Sequence, residues 1–243
     1  MNFLRCQLGS RTLRLACIAA LAAGLGGCQG IAGIQPVSQV RVIDVSPDAP
    51  ALDIHQNSAA SLYNVGFGTV SSYIPLTPGS YTHAAFTAGT QQQLATVRGS
   101  FATGGQYTLL TGNIAANLQM TVLRDQSTPA PNGQIALRFL NQATRAGAID
   151  LYLLPPGSGI ASASPIATGV NFGSNTGYLT APSGIYSILA YPSGTAPSAS
   201  APAYTGSQVA YPASSAHTII LIDQPPSGLQ IISAADYDSP SAS

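Results

Sequence analysis

The chain contains no lysine, no glutamate and no tryptophan. Eight arginines and eight aspartates carry all its fixed charge, only 7% of 243 residues. Lysine and glutamate dominate exposed helix faces, so their absence argues against a helical protein. Without a basic excess, the chain is not a nucleic-acid binder of the phosphate-neutralising kind. It is equally not a coiled coil or a charge-extended disordered chain. The missing glutamate removes the usual Glu-based glycosidase pair. Cysteine is scarce too: Cys6, Cys17 and Cys28 all fall within the first 28 residues. The rest of the chain therefore holds no disulfide, no Cys-ligated zinc and no catalytic thiol. What is plentiful is Gly (25), Pro (18), Ser and Thr, the residues of short strands and tight turns.

The first residues read as an address rather than as structure. Arg5, Arg11 and Arg14 precede the apolar run Leu15 to Gly27. That run is shorter than the about 20 apolar residues that a membrane-spanning helix needs. It ends Leu25-Gly26-Gly27-Cys28, which resembles the lipobox of bacterial lipoproteins. The resemblance implies a signal peptide over 1–27, removed by signal peptidase II, with Cys28 as the lipidation site. Three acyl chains on Cys28 would hold the protein to a membrane, where one chain binds only marginally. The mature chain keeps five Arg against eight Asp, a net charge of −3. An acidic protein gains no attraction to anionic lipid, so the lipid must supply the attachment. Gln29 stands where an Asp would retain an enteric-type lipoprotein in the inner membrane. The expected location is the cell envelope, at the outer membrane if the source is Gram-negative.

An internal repeat organises the rest. Arg41 precedes Asp53 by twelve residues, and Arg138 precedes Asp150 by the same interval, at a shift of 97. VGFGTVSSYIPLTPGSY (65–81) aligns without gaps on VNFGSNTGYLTAPSGIY (170–186), at a shift of 105. Tyr107-Thr-Leu-Leu pairs with His217-Thr-Ile-Ile at a shift of 110, and Leu118-Gln-Met-Thr with Leu229-Gln-Ile-Ile at 111. The eight residues gained after the first block belong in the Pro/Gly/Ser stretch 155–165. The implied organisation is a lipidated Cys and tether (28–38), a first domain (39–125), a Pro-rich linker (126–133), a second domain (134–236) and a flexible tail (237–243).

Alternation with period two marks strands. Leu52 and Ile54 alternate with Asp53 and His55, and Leu118, Met120 and Val122 with Gln119 and Thr121. Around Ile219 to Ile222 both faces are apolar, so that strand is expected to be buried on both sides. Turn signals stand at Thr77-Pro-Gly79, Gly104-Gly105, Pro182-Ser-Gly184 and Pro225-Pro-Ser-Gly228. About seven short strands per copy predict an all-β fold of two tandem antiparallel β-sandwich domains.

The string Val40-Arg-Val-Ile-Asp-Val-Ser-Pro-Asp-Ala-Pro-Ala-Leu-Asp-Ile54 resembles the opening of the DUF4397 family of bacterial envelope proteins. Phe67-Gly68, Tyr73, Pro78-Gly79-Ser-Tyr81 and Gly105-Gln-Tyr107-Thr fit the same pattern, over roughly residues 39–125. The second copy keeps Arg138 and Asp150 but replaces the Ser-Pro-Asp-Ala-Pro segment with Gln142-Ala-Thr-Arg-Ala-Gly147. The resemblance implies an immunoglobulin-like sandwich and no activity.

Few residues are candidates for chemistry. Asp44, Asp48 and Asp53 lie within ten residues and could hold Ca²⁺. Their counterparts Asn141, Arg145 and Asp150 could not, and a turn role for Asp48 with a solvent or Arg partner for Asp53 is the expectation. Arg41 with Asp53, and Arg138 with Asp150, are expected to be structural pairs across neighbouring strands. His55, His83 and His217 share no metal-ligand spacing. No G-x-S-x-G elbow and no phosphate loop occurs. Tyr73/Tyr178 and Tyr81/Tyr186 recur, so they are expected to anchor each core with the hydroxyl on a backbone group. Tyr191, Tyr204 and Tyr211 do not recur and neighbour Pro or Ser, which makes them the candidate ligand-binding platform on loops. No metal, cofactor or catalytic residue is indicated. The expected function is a non-enzymatic envelope lipoprotein, a binding or spacer module attached to the membrane through Cys28 and facing an envelope protein or glycan. The alternative is a surface carbohydrate- or polymer-binding module that uses the loop tyrosines.

Overall fold

A computed structural model describes residues 37–197 and 201–237 of the chain. The leader, Cys28 and the residues after Tyr237 lie outside the described residues. The described residues belong to one compact unit, and its regular elements are strands apart from two single 3-10 turns, Ala115–Asn117 and Ile160–Ser162.

The first half has eight strands. They are β1 (Ser38–Asp44), β2 (Leu52–Gln56), β3 (Ala59–Val65), β4 (Ile74–Leu76), β5 (Gly79–Thr87), β6 (Gln93–Phe101), β7 (Gln106–Gly112) and β8 (Gln119–Asp125). They form two sheets, ordered β4-β1-β7-β8 and β3-β2-β5-β6. The second half has β9 (Gln134–Asn141), β10 (Ile149–Leu154), β11 (Ala167–Val170), β12 (Asn175–Pro182), β13 (Gly184–Pro192), β14 (Tyr204–Thr205), β15 (Val209–Tyr211), β16 (Ala216–Asp223) and β17 (Leu229–Tyr237). Its sheets are ordered β12-β9-β16-β17 and β11-β10-β13-β14, with β15 also on β13. The order of strands is the same in both halves, except that the partner of β13 is split into β14 and β15. Each turn signal read from the sequence falls at the junction of two strands.

The sheets are not wholly antiparallel. β1 runs parallel to β7, and β9 parallel to β16. In each half the chain changes sheets between these two strands, so they enter their sheet from the same end. Alternation along one strand carries no information about the direction of a partner 67 or 80 residues away.

The two sheets of each half enclose a core. In the first half Val40, Val42 and Leu109 from one sheet meet Leu52, Ile54 and Ala85 from the other. In the second, Leu137, Phe139 and Ile219 meet Ile149, Leu151 and Ile188. A third cluster belongs to neither core. Ile43, Leu110 and Leu123 of the first half pack against Leu140, Ile220 and Ile222 of the second. The sheets carrying β1 and β9 therefore lie back to back and are buried on both faces. Period two then explains the continuous apolar strand: Ile219 and Leu221 point into their own core, Ile220 and Ile222 into the interface. Full burial of each such aliphatic side chain contributes about 1.5–3 kcal/mol.

Candidate functional site

Arg41 sits on β1 between Val40 and Val42. Those valines point into the first core, so the arginine must point out of the sandwich, into the interface. There its Nη2 donates to Asp236 Oδ1 and its Nη1 to the Ala235 carbonyl (2.7 Å), both on β17 of the other half. Its Nε donates to the Thr108 hydroxyl on β7 (2.9 Å), and its guanidinium lies 4.8 Å from the Tyr73 ring centroid. Arg138 on β9 does the same in the opposite direction. Its Nη2 donates to Asp125 Oδ1 (2.6 Å) and its Nη1 to the Arg124 carbonyl (2.9 Å), both on β8 of the first half. Its Nε donates to Thr218 on β16 (3.1 Å), and Tyr178 lies under it at 4.9 Å.

Each carboxylate is held by its own half as well. Asp125 Oδ2 accepts from Thr108 (2.6 Å) and Tyr73 (2.8 Å). Asp236 Oδ2 accepts from Thr218 (2.6 Å) and Tyr178 (2.6 Å). The halves thus exchange arginines: each builds a Thr–Asp–Tyr cradle, and the other half fills it. The side chains of Arg41 and Arg138 are 3% and 4% exposed, and both aspartates are fully buried. Burial raises the Tyr73 and Tyr178 hydroxyls well above the usual tyrosine range, with the facing carboxylates adding to it. Burial also raises Asp236 while Arg41 opposes it. Two positive and two negative charges leave the network neutral, and each polar group is hydrogen-bonded, as low-dielectric burial requires.

This placement corrects the pairing expected from the twelve-residue spacing. Arg41 and Asp53 stand on different sheets of the first half, and Arg138 and Asp150 on different sheets of the second. Each aspartate instead holds one turn and one irregularity of the neighbouring strand. Asp53 Oδ1 accepts from the Asn64 N–H and Oδ2 from the Gly89 N–H, each at 2.9 Å. These donors hold its carboxyl below the usual range. Asp150 accepts from the Gly169 N–H (2.7 Å), the Ser193 hydroxyl (2.8 Å) and the Gly194 N–H (3.1 Å). Asn64, Gly89, Gly169 and Gly194 all have positive φ. The recurring aspartate therefore clamps two left-handed corners in each half, which explains why it repeats.

The tyrosines divide in two. The Tyr81 and Tyr186 hydroxyls donate to the Thr77 and Pro182 carbonyls (2.9 and 3.0 Å), as expected. Tyr73 and Tyr178 donate to carboxylates instead, and the Tyr178 hydroxyl also accepts from the Gln126 N–H (3.0 Å). The expected platform of Tyr191, Tyr204 and Tyr211 does not form on loops: the three lie on β13, β14 and β15. Tyr191 is 2% exposed and packs edge-on against Tyr152, with centroids 5.6 Å apart. Tyr211 is 3% exposed, edge-on to His217 at 5.3 Å, and burial pushes its hydroxyl up to about 12. The Pro and Ser neighbours that suggested loops are turn residues between short strands. Tyr204 is half-buried and shares with Tyr211, Ile188, Val209 and Ile231 a cleft of about 190 Å³. A second cleft, of about 300 Å³, is lined by Arg145, Asp223 and Leu229. There Arg145 Nε donates to the buried Asp223 (3.0 Å).

Asp44, Asp48 and Asp53 do not converge. Asp48 accepts from the Ala115 N–H (2.7 Å) and Asp44 from Thr111 (2.9 Å), so each serves a different stretch of chain. Among the described residues no three His, Cys, Asp or Glu side chains come together as metal ligands would. Also among them, no helix is long and apolar enough to cross a membrane.

Thr108, Asp125, Thr218 and Asp236 were not singled out in the sequence. Their signal was present: Thr108 and Thr218 lie in the block at shift 110, and extending the last block by four residues places Asp125 on Asp236.

The family described as Domain of unknown function (DUF4397) matches residues 38–152, from β1 into β10. No curated protein matches the chain. Matching solved structures include an alpha-glucan-binding streptococcal virulence factor, at 7% identity over 75% of this chain and 92% of that one, with a TM-score of 0.25. Another is a family CBM26 module of Eubacterium rectale Amy13K in complex with maltoheptaose, at 13% identity over 84% and 98%, with a TM-score of 0.23. Scores this low bear on neither the fold nor the ligand of this chain.

Proposed function

We propose that the protein is a non-enzymatic envelope lipoprotein in which two copies of one sandwich module form a single rigid binding or spacer body, anchored by lipid on Cys28. The observation that carries this reading is the use made of the recurring ionisable side chains. Arg41, Arg138, Asp125 and Asp236 are consumed in joining the halves, and Asp53 and Asp150 in fixing left-handed backbone corners. A general acid or base must instead reach a substrate atom. The modules correspond to residues 39–125 and 134–236, and the acidic mature surface leaves attachment to the lipid. For a Gram-negative source the outer membrane is the location.

The test is fractionation of cells carrying the native protein or Cys28→Ala, combined with crosslinking in intact cells. The reading expects the native form in the membrane fraction with fatty acid on Cys28, the variant released, and a specific envelope adduct lost with it. Equal membrane association of the variant would contradict the anchor. A turnover abolished by substituting one Asp or His would contradict the non-enzymatic role.

A glycan- or polymer-binding role is kept as a second reading because Tyr204 and Tyr211 line one cleft whose lining carries no charged side chain. Tyr204→Ala would then weaken retention on an immobilised polysaccharide at unchanged stability, and unchanged retention would count against it.

A further inference from the structure

Asp44 and Asn141 occupy equivalent places in the two halves. The Asp44 N–H donates to the Thr69 carbonyl, and the Asn141 N–H to that of Ser174. The Gly68 N–H donates to the Asp44 carbonyl, and the Gly173 N–H to that of Asn141. Asp44 Oδ1 accepts from the Ser46 N–H, and Asn141 Oδ1 from the Ala143 N–H, each at 3.1 Å. The remaining side-chain atom differs. Asn141 Nδ2 donates to the Gly147 carbonyl (2.7 Å) and the Val170 carbonyl (3.0 Å). Asp44 Oδ2 is buried and has no partner. Val65 ends β3 opposite Leu52 as Val170 ends β11 opposite Ile149, so the Val65 carbonyl is the counterpart of the Val170 carbonyl.

A carboxylate only accepts hydrogen bonds, and so does a carbonyl. An ionised Asp44 therefore has nothing to offer at the place where asparagine donates. We propose that Asp44 is a proton-binding site: its Oδ2 carries a hydrogen that it donates to the carbonyl acceptor served by the Asn141 amide in the second half, and the first half loses this bond when the proton leaves.

A proton fits the spacing better than a metal ion does. The equivalent donor lies 2.7–3.0 Å from its acceptors. A calcium ion between two oxygens would keep 2.3–2.6 Å from each, which needs a far wider gap. The groups acting on Asp44 agree. Burial dominates and raises its carboxyl from 3.8 to about 6, against the Ser46 N–H and the Thr111 hydroxyl, which lower it. The nearby charged groups are committed elsewhere: Arg41 to Asp236, Asp48 to the Ala115 N–H, and Asp53 to Asn64 and Gly89. Ile43 and Val45, on either side of Asp44, pack into the cluster between the halves, so by alternation Asp44 faces the first sandwich, where Val42 and Val65 lie.

The direction follows from linkage. A carboxyl whose folded value is raised stabilises the fold fully below its unfolded value, and the stabilisation is lost as pH rises through the folded value. The window is therefore from about 4 to about 6, and the loss is about a hundredfold in the unfolding constant. The test is a carbon-detected NMR titration of the Asp44 carboxyl in the intact protein, with urea unfolding of Asp44→Asn and Asn141→Asp at pH 4 and pH 8. The proposal expects titration near 6. It expects Asp44→Asn to be about a hundredfold more resistant to unfolding than the parent at pH 8, with little of that gain at pH 4. Asn141→Asp should acquire the opposite change. Titration near 4, or an Asp44→Asn effect that differs less than threefold between the two pH values, overturns it.

Discussion

Replacing Arg138 by Met isolates what the exchanged arginines do. Met keeps most of the volume and removes the charge. The substitution deletes donors to Asp125 Oδ1, the Arg124 carbonyl and Thr218. Asp125 would remain fully buried, with Thr108, Tyr73 and a 3.7 Å approach from Arg41 as its compensation. Breaking a buried pair by removing one partner costs about 3–5 kcal/mol, because the other charge stays desolvated. An exposed pair costs about 0–1 kcal/mol. The two cases separate cleanly in urea unfolding of the intact protein. A double-mutant cycle adds the assignment: Arg138→Met with Asp125→Leu should show about 1–3 kcal/mol of coupling, and Arg138→Met with Asp150→Asn almost none. Raising NaCl from 0.1 to 1 M should leave the cost nearly unchanged, since buried pairs are screened little. A loss below about 1 kcal/mol, or coupling to Asp150 in place of Asp125, would refute the reasoning.

His83 is 1% exposed, lies edge-on to Phe101 at 5.3 Å, and has no hydrogen-bond partner on either ring nitrogen. Burial pushes it down from 6.5 to about 4, so the folded protein resists protonation that the unfolded chain accepts. Stability should fall by about 3 kcal/mol as pH drops from 6.5 to 4, and His83→Leu should remove that fall, as read from urea midpoints across the range. Tyr191→Ala should cost about 3–5 kcal/mol, because the ring is core and not platform. Thermal melts would show it, and a cost under 1 kcal/mol would return Tyr191 to the surface.

Much of the fold was legible because strands announce themselves locally. Alternation at Leu52–Ile54 and Leu118–Val122, together with the Pro and Gly turns, is set by neighbours two residues apart. Even the doubly buried β16 could be read, since Ile219 to Ile222 leave no polar face. The parallel pairing of β1 with β7 was not legible, because it depends on which sheet the chain has crossed into. The partner of Arg41 was hidden for the same reason. Twelve residues separate it from Asp53 in sequence, yet the outward turn of its side chain from β1 sends it to Asp236, 195 residues away. Tyr191, Tyr204 and Tyr211 misled because proline and serine beside a tyrosine mark a turn, while the tyrosine itself belongs to the strand that follows or precedes it.

Calorimetry of the intact protein tests most directly whether the exchanged arginines and the shared apolar cluster make the halves one body. A single transition is predicted, with van't Hoff and calorimetric enthalpies equal. Asp125→Asn and Asp236→Asn should each lower that one transition as a whole. Two separable transitions, one moved by Asp125→Asn and the other by Asp236→Asn, would contradict the account.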